Sequence, residues 1–246
     1  MARRQRLSPS VLVAVGLIAL AAYGLAHSVS LTTILVFVVV VPSIILHEIS
    51  HGVVALACGD DTAKRAGRLT LNPLAHVDPI GTVVMPAVLA LSGLGAFGYA
   101  KPVPINPRRM RHPRNDSLLV SLAGPACNLV LAGVSIVLLR ADGRAPLVHE
   151  ALQFGYIGAL SAGLQVLFLL GFLNVSLAVF NLLPLPPLDG SAVIERLLPA
   201  SAWPTWLKVR TYAMPALLIL VLLNPHHFLN HIFDPAQRAW ARVLVA

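Results

Sequence analysis

The run LTTILVFVVVVPSIIL at residues 31–46 carries no charge and leads straight into His47-Glu48-Ile49-Ser50-His51, after which the apolar character continues to Ala57. With that continuation the stretch covers 27 residues, more than the roughly 20 that a helix needs to cross a bilayer. On a helix, His47 and His51 stand one above the other at i and i+4, so both imidazoles reach one metal ion. Glu48 projects about 100° further round the helix, where its carboxylate reaches a water on that metal and serves as general base. The alternative is a polar helix end reaching back to the interface. It is the weaker reading, because a charge within a span costs about 2.5–3.5 kcal/mol on insertion scales.

Composition supports a membrane setting. Of 246 residues, 57% are hydrophobic and 11% charged, against roughly a quarter charged in soluble domains; mean hydropathy is +0.79. The net charge of +8 lies between the apolar runs, a pattern of loops at an anionic membrane surface. No basic patch is interleaved with aromatics, so nucleic acid is not expected as a partner. Cys58 and Cys127 are too few for a disulfide framework or a cysteine zinc site and read as small apolar fillers.

Working outward, Val11–His27 follows a basic start and reads as a retained anchor rather than a signal peptide. Pro79–Ala100 is uncharged but broken by Gly81, Pro86, Gly93, Gly95 and Gly98. Leu118–Leu139 is a clean span. Phe154–Leu188 is too long for one, and Met214–Leu223 is short enough to be tilted or interfacial. The expected fold is an all-α polytopic membrane protein with about five to six transmembrane helices. A membrane-dipping β-hairpin or re-entrant segment is expected between the second and third full spans. Gly67–Pro73 and His76–Thr82 are the candidate hairpin arms, with an ordinary polar connector as the alternative. One domain covers 1–246, its catalytic core at about 31–198.

Two histidines leave a tetrahedral metal one protein ligand short. Asp189 alone among the acids ends a long apolar run, in Asn181-Leu-Leu-Pro-Leu-Pro-Pro-Leu-Asp189-Gly190. Pro184, Pro186 and Pro187 obstruct a regular helix there, and broken backbone at membrane depth survives only when buried or lining a wet cavity. The alternative is an Asp-Gly turn leaving the membrane. If Pro79–Ala100 dips in and returns, 14 of the 18 Lys and Arg fall on the cytoplasmic side, as the positive-inside tendency expects. His47, His51 and Asp189 then share the cytoplasmic half of a multi-pass protein in the cell membrane. Full crossing of every run would separate them.

Three blocks, His47-Glu48-Ile49-Ser50-His51, Ala123-Gly124-Pro125-Ala126-Cys127-Asn128 and Asn181 to Gly190, together resemble the site-2 protease family of intramembrane zinc metalloproteases, in the family's order. The resemblance implies one Zn2+ on His47, His51 and Asp189, Glu48 as catalytic base, and a core of three transmembrane helices. It also implies a transmembrane protein substrate within the lipid bilayer, cleaved in regulated intramembrane proteolysis or membrane protein turnover. Asn181 matches the family's asparagine ahead of the Asp-Gly pair, so it is expected to donate to the substrate carbonyl or oxyanion. Residues alone leave an equal alternative, tying down backbone freed by the prolines. No PDZ or CBS domain is visible, and the oligomeric state is open.

The remaining polar residues receive structural readings. Asn128 lies among small residues and reads as helix–helix glue. His226, His227 and His231 read as an interfacial tail, and Trp203, Trp206 and Trp240 as interface anchors. A polytopic transporter could use the same buried His, Glu and Asp residues, but no inverted repeat supports it.

Overall fold

The computed structural model describes residues 30–78, 81, 99–223 and 228–246. Its helices are α1 (Leu31–Ala57), α2 (Thr62–Arg65), α3 (Pro113–Ala141), α4 (Ala145–Phe154), α5 (Ala162–Asn181), α6 (Ser191–Leu197), α7 (Trp203–Leu223) and α8 (Phe228–Val245), with short 3-10 turns between. Among the described residues there is no strand.

Among the described residues, four helical stretches are long and apolar enough to cross a membrane: α1, α3, α5 and Ala200–Leu223. Each is apolar over most of its length, as lipid would require, and a helix satisfies its backbone polar groups internally. Val11–His27, the further span expected from the sequence, lies outside the described residues.

A strict periodicity builds the core. On α1 the buried residues include Leu35, Val39, Ser43, His47, His51 and Ala55, four apart throughout. On α3 they include Asp116, Val120, Gly124, Asn128, Ala132, Ser135 and Leu139. Rows at this spacing are the ridges by which helices interlock, and α1, α3 and α5 pack against one another. Small residues on these rows let the backbones approach. The polar members, Ser43, His47, His51, Asn128 and Asn174, all fall inside the contact.

The long uncharged run 154–188 resolves as its length requires. Gly155 ends α4 in the left-handed conformation (φ 76°), α5 occupies Ala162–Asn181, and Leu182–Gly190 is unwound. Helix α8 lies against α4, α5 and α3. Its Trp240 is buried, packed onto Gly171, where a Cβ would collide with the indole. Trp240 therefore fills a notch between helices and is not an interface anchor. His231 lies on the exposed side of α8, whereas His226 and His227 lie outside the described residues.

The hairpin expectation is not met where it can be read. Asn72 caps a 3-10 turn at Pro73–His76, accepting from the Leu74 N–H (3.1 Å), and Pro73 has no N–H to offer a ladder. The carbonyls of Lys101 and Pro102 are taken by the buried Arg68 guanidinium (2.6 and 3.4 Å), not by a neighbouring strand. Much of the segment from Pro79 to Ala100 lies outside the described residues. Its ends do not: the Tyr99 N–H donates to the Gly81 carbonyl (3.0 Å) and the Lys101 N–H to that of His76 (2.9 Å).

Candidate metal centre

His47 and His51 are buried on the inner stripe of α1. Each ring is fixed by its Nδ1, which donates to Asn128 Oδ1 for His47 and to the Val120 carbonyl for His51, both at 2.6 Å. Both acceptors lie on α3, so that helix orients the pair. With Nδ1 carrying the proton, each neutral ring turns a bare Nε2 lone pair inward. Gly124 backs the two rings: a Cβ there would sit 2.5 Å from His47 Cε1, His47 Nε2 and His51 Nε2. Gly124 of the α3 block thus supplies the wall of the site.

Asp189 arrives from the unwound segment after α5. Its loop is closed by the Gly190 N–H donating to the Asn181 carbonyl (2.6 Å), and a Cβ on Gly190 would collide with the Leu182 carbonyl. Asp189 Oδ2 lies 3.1 Å from His47 Nε2 and 3.4 Å from His51 Nε2, while the two Nε2 atoms are 3.1 Å apart. Oδ2 is buried without a hydrogen-bond partner.

This triangle is the test of fit. Three acceptor atoms facing one another repel unless a cation lies among them. Tetrahedral zinc with bonds of about 2.0–2.1 Å has ligand atoms about 3.3 Å apart, and the three edges bracket that value. Among the described residues, His47, His51 and Asp189 are the one group of His, Cys, Asp or Glu close enough to hold a metal.

Glu48 lies half-buried one residue along α1. Its Oε2 accepts the Val103 N–H (2.9 Å), leaving Oε1 for other work. Val103 sits between Pro102 and Pro104, neither of which has an N–H, so the one amide donor of that tripeptide is committed to Glu48. Sequence reasoning missed this contact, although the alternating prolines were a usable signal. It also read Asn128 too weakly: the residue bridges helices, but does so by holding a ring of the site.

Asn181 ends α5. Its amide donates to the Leu177 carbonyl (2.9 Å), and its own carbonyl closes the Asp189 loop. These contacts put it at the base of the loop that carries Asp189.

The pattern of peptidase family M50 matches residues 32–224. The chain is 41% identical over 195 residues to YwhC of Bacillus subtilis, which carries a zinc metalloprotease name, covering 79% of this chain and 82% of that one. It is 34% identical over 187 residues to Rip2 of Mycolicibacterium smegmatis, also named as a zinc metalloprotease, covering 71% and 65%. Rip2 of Mycobacterium tuberculosis H37Rv is 36% identical over 193 residues, covering 76% and 68%. No solved structure matches.

Proposed function

The chain belongs to peptidase family M50 and is a zinc metalloprotease of the membrane, and on that premise we propose that His47, His51 and Asp189 hold its zinc and Glu48 is its catalytic base. The observation that carries this is the lone-pair triangle, 3.1, 3.1 and 3.4 Å on a side, with a buried carboxylate oxygen that has no other partner. Bound there, zinc would supply Lewis-acid polarisation of the scissile carbonyl and acidify the attacking water. The chain's residues do the rest. Glu48 accepts the proton of that water at the oxygen not held by Val103 and returns it to the leaving nitrogen. Asn181 donates its second amide hydrogen to the carbonyl oxygen as negative charge grows there.

The substrate is a transmembrane helix unwound over a few residues, since an intact helix hides its carbonyls in its own hydrogen bonds. The enzyme is a single domain in the cell membrane, with five spans once Val11–His27 joins the four helical stretches. Its site lies in the cytoplasmic half, and Pro79–Ala100 returns to the side it leaves. Three contacts support that topology. The ends of the segment are hydrogen-bonded to each other at Gly81 and Tyr99. Arg65 before it and Arg109 after it both pair with Asp61. The Asn106 N–H donates to Asp60 (2.6 Å). A full crossing would put these partners about 30 Å apart.

Metal analysis of purified protein tests the ligand assignment. About one zinc per chain is expected, with severe loss in His47→Ala, His51→Ala and Asp189→Ala. Full retention in Asp189→Ala would overturn the third ligand.

A further inference from the structure

The hydrogen bond that fixes the His47 ring does not end at Asn128. Asn128 Nδ2 donates to Asn174 Oδ1 (3.0 Å), and Asn174 Nδ2 donates to both Ser43 Oγ (2.9 Å) and the Leu170 carbonyl (2.8 Å). Ser43 Oγ in turn donates to the Val39 carbonyl (2.8 Å). Both asparagines have no exposed surface and Ser43 has 2%. The chain therefore runs from a ring of the site through α3 and α5 and back to α1 without touching solvent.

Such a chain has a direction, and its far end sets it. A carboxamide can face a neighbour with either its oxygen or its nitrogen. A backbone carbonyl can only accept. Because Leu170 O is an acceptor, Asn174 must turn its nitrogen toward it, which leaves Asn174 Oδ1 facing Asn128. Asn128 must then offer its nitrogen to Asn174 and its oxygen to His47. Against an oxygen, His47 Nδ1 has to carry the proton, and Nε2 is left bare. Turning any amide over would bury acceptor against acceptor or donor against donor.

We propose that Asn174 is a positioning residue of the metal site, setting the orientation of Asn128 and through it the tautomer in which His47 Nε2 faces His51 and Asp189. The proposal rests on the reading of His47 as a ligand. A residue that merely glued α3 to α5 would need satisfied hydrogen bonds but no particular direction. Outer-shell partners of ligand histidines typically govern 10–100-fold in metal affinity. Asn174 is one bond further out than those, and its effect passes wholly through Asn128.

The test exploits that dependence. In Asn174→Val the anchor is gone and Asn128 is free to turn over. Zinc affinity, measured by competition with a chelator, is expected to fall by about 10–100-fold. Nitrogen-15 spectra of the metal-free, histidine-labelled protein should show His47 leaving the Nδ1-protonated form. Asn174→Thr has the shape of valine but keeps an acceptor for Asn128 and a donor for Leu170 O. It should bind zinc within about threefold of wild type. Asn128→Asp presents an acceptor to His47 whichever way it turns, so in that background Asn174→Val should no longer weaken zinc binding. Equal affinities in the threonine and valine variants, or an equal loss in both Asn128 backgrounds, would overturn the proposal. His47→Ala separates the two readings: unchanged zinc affinity there removes His47 as a ligand, and Asn174's role with it.

Discussion

Glu48, Gly124 and Asn181 bear on the site in three different ways, and substitution separates them. Glu48→Gln should keep zinc and fold while proteolysis falls by at least the 10²–10⁴-fold usual for a general base, because an amide cannot take the water's proton. Gly124→Ala places a methyl 2.5 Å from both imidazoles and should weaken zinc binding and lower the thermal midpoint. Gly133→Ala, on the same helix with nothing within 4 Å of its Cβ, should be neutral or mildly stabilising, since alanine exceeds glycine in helix propensity by about 1 kcal/mol. Equal behaviour of the two glycine variants in zinc titration and melting would remove Gly124 as the wall of the site. Asn181→Ala should retain zinc and stability yet cleave about 10²–10³-fold more slowly, the usual cost of one oxyanion donor. Its bond to Leu177 O supports the rival role of tying down the helix end. Metal loss or unfolding in that variant would leave it as scaffolding.

At the scale of elements, sequence periodicity was a good guide within a helix and a poor one between helices. The i, i+4 spacing of His47 and His51 predicted a shared face, and the face is there, running from Leu35 to Ala55. The prolines before Asp189 predicted an unwound end, and α5 stops at Asn181. The partner of each side chain was not legible. Asn128 meets Asn174 across 46 positions, Glu48 meets Val103 across 55, and Trp240 meets Gly171 across two separate helices. Local spacing names no partner for any of them: the prolines beside Val103 mark a lone amide donor but not its acceptor, and nothing marks the notch for Trp240, which is why that residue was expected at the interface. The connector after α1 offers a further test. Burial would push the Asp60 carboxyl up, but hydrogen bonds from Thr62 and Asn106 and the charge of Arg109 outweigh it and hold the group below the usual carboxylate range. A group depressed on folding adds stability that is full above its unfolded value, about 3.9, and is lost as pH falls through the folded one. In metal-free protein, the gap in thermal midpoint between wild type and Asp60→Asn should be constant near neutrality and shrink below about pH 4. A gap that persists to low pH would show that what Asp60 contributes does not depend on its charge.

The whole molecule is a bundle whose core helices α1, α3 and α5 each lend polar residues to one buried level, while their other faces remain apolar for lipid. That arrangement is costly unless the polar groups are satisfied, and here His47, His51, Asn128 and Asn174 each find a partner from another helix. Topology is the property of the whole chain most exposed to test. Single cysteines near Arg65 and Arg109 should react with an impermeant thiol reagent from the cytoplasmic side, and one near Gly143 from the opposite side. Labelling of 65 and 109 from different sides would contradict the shared ion pair at Asp61 and the return of Pro79–Ala100. The central claim, peptide hydrolysis at a zinc site inside the membrane, is tested most directly by cleavage of a designed transmembrane substrate in proteoliposomes, comparing wild type with Glu48→Gln at matched zinc content. The account predicts cleavage within the substrate's membrane segment by wild type and none above background in the variant; equal cleavage by both, at equal zinc, would contradict it.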